Sequence, residues 1–361
     1  GMNMIFKLII AIALPFISGF LLISILSRKL EISFLEKSCI GYGVGMGMVG
    51  LIGFLLGIAE VPFTFISLLV PQVLLIFVLA LFLLFGNTNQ RTSTRRRSSI
   101  DFSGLMSLKT FGVLIVLSWI FFKIFFVFFE GLNKPLVSSD ALLNLSSGAK
   151  FFYFQKGFQL DPSNEHFFAQ DYRLFVGHPL LTGVIQIWIS NAIGSWSEIF
   201  VKMWSPFYFV TILGVLYSAV RLKESSNIAL IATFFLSAVP LLSFHGQDGY
   251  ADLPLAFYAL AGTVYLWRYL ERSEPYALVI SGLLMAMGAF TKNEGIFYII
   301  SAGFILFVHN VLQWRRPWFG VHLFAIPVFI YIFPWYIFKM RYGIGLGHGE
   351  EASGITWVDS L

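Results

Sequence analysis

The stretch SLLVPQVLLIFVLALFLLF, residues 67–85, decides the fold class of this chain. It contains no charged residue, and its apolar residues do not alternate with polar ones. A helix that crosses the hydrocarbon core of a bilayer needs about 20 largely apolar residues. A strand of a membrane barrel would alternate, because one of its faces meets the lumen. The stretch is therefore typical of a transmembrane α-helix.

The composition extends this interpretation to the whole chain. Of its 361 residues, 57% are hydrophobic and 12% are charged, and the mean hydropathy is +0.80. Soluble domains carry about 25% charged residues, so half that content cannot cover a surface in water. We expect an all-α polytopic integral membrane protein. The single cysteine, Cys39, excludes an internal disulfide and a cysteine metal cage.

Ten apolar segments predict about ten transmembrane helices. They cover residues 4–26, 41–59, 66–86, 111–129, 205–220, 228–244, 253–270, 276–290, 296–313 and 318–338.

Basic loops between these segments predict the orientation, because loops rich in Lys and Arg stay in the cytoplasm. Four such loops contain Arg95, Arg221, Arg268 and Arg315. The same rule explains the net charge of +5, so no nucleic-acid partner is expected. All four loops are cytoplasmic only if the segment LLTGVIQIWISNAI, residues 180–193, does not cross the membrane.

This segment is shorter than a span and suits an in-plane or re-entrant helix. We therefore expect residues 130–204 to form one long outer loop with in-plane helices. Residues 1–104 are predicted to form a three-helix region with a basic cytoplasmic loop, and 105–361 the membrane core.

The predicted outer face gathers several polar residues. Asp140 follows the fourth span, where Ser139 could cap the next helix, so a capping role and a functional role both fit. Arg173 and His178 could bind a phosphate, Arg through its two-pronged guanidinium. Pro179 would begin the in-plane helix at its first turn.

Two further clusters follow in the chain. Asp248 and Asp252 are four residues apart, so a helical start would put them on one face. With His245 they could bind a divalent cation, orient a basic group or cap a span, although a metal needs more ligands. Lys292 and Glu294 stand between two spans, where charge is costly and often functional. Lys292 could neutralise a lipid phosphate, or pair locally with Glu294.

The order of these motifs resembles that of a known family. The motifs are HPLL at 178–181, GYADLPLAFYAL at 249–260 and MGAFTKNEG at 287–295. Over about residues 105–340, the chain resembles the GT-C fold membrane glycosyltransferases, specifically the protein O-mannosyltransferase and aminoarabinose transferase group.

The resemblance implies an enzyme that takes a sugar from a polyprenyl-phosphate carrier at the outer membrane face. It places Asp140 at the position of the catalytic base, and Asp252 at that of the family's Asp after the third core span. Residues 178–180 correspond to the family's HPP motif, with Leu in place of the second Pro. Thr291 and Lys292 correspond to a TKGP-like motif, which continues differently here.

The predicted mechanism follows from these assignments. Asp140 would act as general base, and Lys292, with Arg173 or His178, would stabilise the leaving phosphate. Attack opposite that phosphate would invert the anomeric centre. The remaining four polar residues would position the substrate, with a cation at the two aspartates as an open alternative: His245, Asp248, Asp252 and Glu294. Four aromatic residues would lie in the headgroup zone: Phe151, Phe152, Tyr153 and Trp188.

Other functions stay open at this stage. A secondary transporter or a non-catalytic membrane subunit of a polysaccharide machine are the alternatives. The sugar, the acceptor and metal dependence are not set by the sequence, and no nucleotide cofactor is expected. The expected location is the bacterial inner (cell) membrane. Relatives usually continue beyond this length, which implies a fragment or a chain that needs a partner.

Overall fold

A computed structural model describes residues 2–86, 108–164, 167, 177–314 and 319–344. Every regular element in these ranges is helical, which confirms the all-α polytopic membrane fold. Arg173 lies outside the described residues.

Thirteen α-helices run through the described ranges. In chain order they are α1 (Met2–Leu26), α2 (Phe34–Ile58), α3 (Phe65–Phe85), α4 (Leu108–Asn133), α5 (Ser147–Gln155), α6 (Leu181–Ile193), α7 (Ser205–Arg221), α8 (Ser226–Ala238), α9 (Pro240–Asp248), α10 (Asp252–Arg272), α11 (Pro275–Ala289), α12 (Gly295–Leu312) and α13 (Val321–Tyr342). A π-helix, Asp140–Ser146, precedes α5, and a 3₁₀ turn, Phe200–Lys202, precedes α7.

Seven of the described helices are long and apolar enough to cross a membrane, namely α1, α2, α3, α4, α7 with its 3₁₀ turn, α12 and α13. An eighth would be the pair α8 and α9, which are bent by 67° at their junction. The sequence predicted 228–244 as one span, without a break. Pro240 begins α9 instead, because proline has no amide hydrogen to continue the ladder of α8.

The glycine-rich helix α2 is the centre of the bundle. A Cβ on Gly45 would overlap the carbonyl oxygen of Pro15, so glycine lets α1 and α2 approach closely. The Gly43 carbonyl accepts a hydrogen bond of 2.7 Å from the Tyr258 hydroxyl. Small residues therefore serve helix packing here, and they bring α10 against α2.

A buried ionic cluster joins α2 to the opposite end of α10. Arg268, 1% exposed, donates to the Glu36 carboxylate at 2.9 Å and to the Glu31 carbonyl at 2.7 Å. Tyr265 donates to Glu36 at 3.0 Å. One large apolar cluster also spans both sides of residue 104, and the division of the chain there stays a prediction.

Helix α6 lies across one end of α1, α2 and α3. The Trp188 indole donates to the Ala11 carbonyl at 2.8 Å and stacks on Phe65 of α3. Gly53, near the end of α2, contacts Val184. Because α1 and α3 meet α6 near their starts and α2 meets it near its end, α6 marks one face of the bundle, called here the α6 face.

Two of the four aromatic residues of this region lie inside the protein. Trp188 is fully buried and Phe152 is 2% exposed. The indole N–H of Trp188 is satisfied by a backbone carbonyl. Their depth in the headgroup zone stays a prediction.

Candidate active site

Polar residues from separate parts of the chain meet at the α6 face. The charges of Asp140, Asp252 and Lys292 all act on the His245 imidazole. The charge of Asp140 also acts on Lys292. The start of the π-helix, the α9–α10 junction and the α11–α12 loop therefore lie near one another, and the group formed by Asp140, His245, Asp252 and Lys292 is called here the polar pocket.

Lys292 and Asp252 form the ion pair at the centre of this pocket. Their side chains are 20% and 39% exposed, and the Lys292 ammonium lies 2.9 Å from the Asp252 carboxylate. Glu294 is farther from the ammonium, at 3.8 Å. Burial disfavours the charged lysine, but the hydrogen bond and charge of Asp252 outweigh it and raise the pKa of Lys292. The ammonium is therefore charged at neutral pH, as a phosphate ligand must be.

Lys292 is held in a tight turn between two helices. Its amide donates to the Gly288 carbonyl at 3.2 Å, and its carbonyl accepts from the Gly295 amide at 2.9 Å. The turn leaves no room for a long loop, so the lysine side chain extends from a fixed backbone towards α10.

Asp140 begins the π-helix, and the predicted cap before it is wrong. Ser139 has helical dihedral angles, φ −56° and ψ −43°, and its side chain makes no capping hydrogen bond. An N-cap residue needs an extended backbone so that its hydroxyl can reach back to the helix amides. Helical hydrogen bonding begins earlier instead, from the Leu142 amide to the Ser138 carbonyl at 2.9 Å.

Asp248 does not share a helix face with Asp252, contrary to the prediction. Asp248 ends α9, Gly249 follows with φ +77°, and Asp252 begins α10. Asp248 is 2% exposed and accepts from the amides of residues 137–138 at 3.4 and 3.0 Å. Its second partner is Lys202, at 3.7 Å. Asp248 is therefore bound to protein groups.

A divalent cation does not fit these residues. Among the described residues, no group of three or more His, Cys, Asp or Glu side chains could hold a metal ion. Asp248 already serves two amides and an ammonium, and Asp252 serves Lys292. We derive no step through a metal.

The HPLL junction docks onto the loop that carries Lys292. The Gly177 carbonyl accepts from the Asn293 side-chain amide at 3.1 Å and from the Lys339 ammonium at 3.4 Å. The Leu181 amide donates to the Phe290 carbonyl at 3.2 Å. Two of these contacts place His178, between Gly177 and Leu181, beside the α11–α12 loop, and the third ties Gly177 to α13.

A small, partly open apolar cavity lies next to His178, and residues of the π-helix, α5 and α6 line it. Phe152, Phe158 and Ile187 give it apolar walls, and His178 and Pro179 also belong to its lining.

Sequence reasoning missed three of the residues that build this site. Lys202, 1% exposed, and Lys339, 5% exposed, are buried cations beside apolar runs, and that signal could have marked them as it marked Lys292. Asn293 carries no such signal, because an amide in a short loop is ordinary.

Comparison with known proteins bears on this part of the chain. Residues 177–338 match the family described as dolichyl-phosphate-mannose-protein mannosyltransferase. The matched segment contains His178, Asp252 and Lys292, while Asp140 precedes it. No match was found among curated proteins or among solved structures. The family match supports, for residues 177–338, the resemblance to GT-C membrane glycosyltransferases that was noted in the sequence.

Proposed function

We propose that the protein transfers a sugar from a polyprenyl-phosphate donor to an acceptor hydroxyl or amine at the outer face of the membrane, with inversion. The observation that carries the proposal is the Lys292–Asp252 ion pair at 2.9 Å, close enough to Asp140 for the charge of this carboxylate to act on Lys292. Asp140 can accept a proton there, and Lys292 can stabilise an anion.

In the proposed reaction, the Asp140 carboxylate takes the proton from the acceptor. The acceptor oxygen or nitrogen attacks the anomeric carbon from the side opposite the phosphate. The bond between this carbon and the phosphate oxygen breaks, and its electron pair leaves with the phosphate. General base catalysis supplies about 10²–10⁴-fold of the rate in such reactions.

Lys292 stabilises the departing phosphate in this scheme. Asp252 keeps the ammonium charged and orients it, at 2.9 Å. His178 is held beside the same loop through Gly177 and is the second phosphate ligand. Arg173 remains part of the proposal, although it lies outside the described residues. His245 and Glu294 border the pocket and are assigned to sugar positioning.

The apolar cavity beside His178 supports a lipid-linked donor. A phosphate bound by Lys292 and His178 would leave the first isoprene units next to the walls formed by Phe152 and Ile187. Burying these units would contribute about 25 cal/mol for each Å² removed from water. A free sugar phosphate or a nucleotide sugar has no comparable apolar part.

The distribution of charge supports an outer-face site. The opposite end of the bundle holds the basic residues Arg28, Arg221, Lys223 and Arg268, as cytoplasmic loops do. The polar groups of the pocket collect at the α6 face, whereas a secondary transporter would place them near mid-membrane. The bacterial inner membrane is the proposed location, with the site on its outer face.

The proposal is tested by incubating the purified protein with a panel of radiolabelled polyprenyl-phosphate sugars. We expect one donor to lose its label to water or to an acceptor, and Asp140→Asn to lower that rate at least about 100-fold. Asp161→Asn is the matched control, because Asp161 is an exposed carboxylate of the same predicted outer loop. If the wild-type protein turns over no donor, the chain is a non-catalytic subunit. Near-normal transfer by Asp140→Asn would remove the base assignment.

A further inference from the structure

We propose that the buried pair Lys202–Asp248 is a positioning device for Asp140. Its function is to fix the backbone segment 135–138, which leads directly into the π-helix that Asp140 begins. The Lys202–Asp248 pair bound to residues 135–138 is called here the clasp. The catalytic role of the clasp rests on the proposed function, whereas its existence can be tested without it.

The two side chains form hydrogen bonds with both ends of the segment 135–138. The Asp248 carboxylate accepts from the Val137 amide at 3.4 Å and from the Ser138 amide at 3.0 Å, one with each oxygen. The Lys202 ammonium donates to the Pro135 carbonyl at 3.2 Å. The same ammonium lies 3.7 Å from the Asp248 carboxylate, so the two side chains that bind the segment also form an ion pair with each other.

The two amides have no helical carbonyl to bind. They precede the π-helix, and the first amides of a helix point away from its hydrogen-bond ladder. An anion at this end also interacts favourably with the helix dipole. A carboxylate in this place therefore satisfies two partly buried donors that neutral side chains would serve less well.

Both partners are brought in from distant elements and are shielded from water. Lys202 is 1% and Asp248 2% exposed. Gly249 permits the approach, because a Cβ there would lie 3.0 Å from the Lys202 Cβ and the residue has φ +77°. A buried ion pair gains little stability over apolar residues, so its retention here is better explained by the geometry that it imposes.

Apolar contacts set the other side of the segment. Leu136 packs with Ala141 and Val201 in a small buried cluster separate from the main core. Ala141 directly follows Asp140, so the residues on both sides of the carboxylate are anchored. The clasp controls the backbone path, and the cluster controls the rotation of the π-helix.

A loosened clasp should act on turnover and spare donor binding. A misplacement of about 1 Å at a reacting group can lower the rate about 100-fold. The donor ligands are held by other contacts: Lys292 by Asp252, and His178 through the bond between Gly177 and Asn293. These contacts do not involve residues 135–138.

The experiment compares three variants with the wild-type protein in nanodiscs: Asp248→Asn, Lys202→Met and the double variant. Hydrogen exchange of the peptide covering residues 135–146 is measured first, then kcat and the donor KM with the donor found above. The control is Glu36→Gln, which breaks the other deeply buried ion pair, with Arg268, at the opposite end of the bundle.

We expect Asp248→Asn to speed exchange within 135–146 and to lower kcat about 10–100-fold, with donor KM unchanged within about 2-fold. The double variant leaves no unpaired buried charge, so it should regain thermal stability without regaining kcat. That separation is not expected of a merely structural pair. Glu36→Gln should lower thermal stability while leaving exchange in 135–146 and kcat as in the wild-type protein.

Unchanged exchange in Asp248→Asn overturns the clasp. Accelerated exchange with an unchanged kcat, or a kcat that recovers with stability in the double variant, overturns the positioning role. Where Asp248→Asn fails to fold, Lys202→Met and the double variant are judged by the same criteria. If the wild-type protein turns over no donor, the proposed function fails, and the exchange measurement still decides whether the clasp holds the segment.

Discussion

Replacing Lys292 by alanine separates a catalytic role from a structural one, because the two predict effects of different size. The ammonium pairs with Asp252 at 2.9 Å, and the two side chains are 20% and 39% exposed. A pair with this access to water contributes about 0–1 kcal/mol to stability. Asp252 would be hydrated once the lysine is removed, so little stability should be lost.

The expected loss in catalysis is larger. Removing one group that stabilises a developing oxyanion costs about 10²–10³-fold in turnover, or about 2.7–4 kcal/mol of transition-state stabilisation. We therefore expect Lys292→Ala to lower kcat/KM for the lipid donor by this factor and to weaken use of the acceptor less. Initial rates at varied donor and acceptor, together with thermal unfolding in detergent, give both quantities.

Lys150→Ala is the control for removing a lysine from an ion pair on the same predicted outer loop. Lys150 lies 3.2 Å from Glu198, and these side chains are 47% and 39% exposed. The Lys150→Ala variant should have the stability and the kcat/KM of the wild-type protein. A loss of less than about 10-fold in Lys292→Ala, about 1.4 kcal/mol, would refute the phosphate assignment. An unfolding temperature that falls in step with activity would refute it as well.

Three further perturbations test the fold. Arg268→Met should destabilise the protein by about 3–5 kcal/mol, because the buried Glu36 carboxylate loses its charged partner. Thermal unfolding measures this loss. A change in unfolding temperature as small as that from replacing an exposed arginine would contradict the prediction. Gly45→Ala should disturb the packing of α1 on α2 and lower the stability by about 1–3 kcal/mol. The control Gly303→Ala, at a position with open space, should cause no loss of stability. Equal unfolding temperatures of the two variants would show that α1 and α2 do not approach closely at Gly45. Cysteines introduced on either side of residues 180–193 should react with an impermeant reagent from one compartment only. Labelling of the two sites from opposite compartments would refute the prediction that this segment does not cross the membrane.

The sequence sufficed for the properties that each segment carries by itself. The run at 67–85 is apolar without alternation, and a helix satisfies its backbone locally, so membrane helices follow without knowledge of any neighbour. Motif order gave a resemblance to a family, and the match over residues 177–338 supports it. The choice of Asp140 and Lys292 as catalytic groups stays a prediction, although their charges act on each other across the pocket.

Predictions failed where a side chain had a choice of partner. The sequence did not predict a partner for Trp188, whose indole N–H donates to a carbonyl of α1. Ser139 was expected to cap a helix that in fact begins before it. Local propensity offers both arrangements at similar energy, and contacts with remote residues decide between them.

Spacing along the chain was also a poor guide to shared surfaces. Asp248 and Asp252 are four residues apart, yet the turn at Gly249 sends them to different partners. Lys202, which meets Asp248, belongs to an element far away in the sequence. Composition and period therefore determined that this is a bundle of membrane helices with carboxylates and a lysine at one end. Only the tertiary structure decided which carboxylate meets which ammonium, because burial makes an unpaired charge costly and leaves the pairing to whichever groups the packed helices bring together.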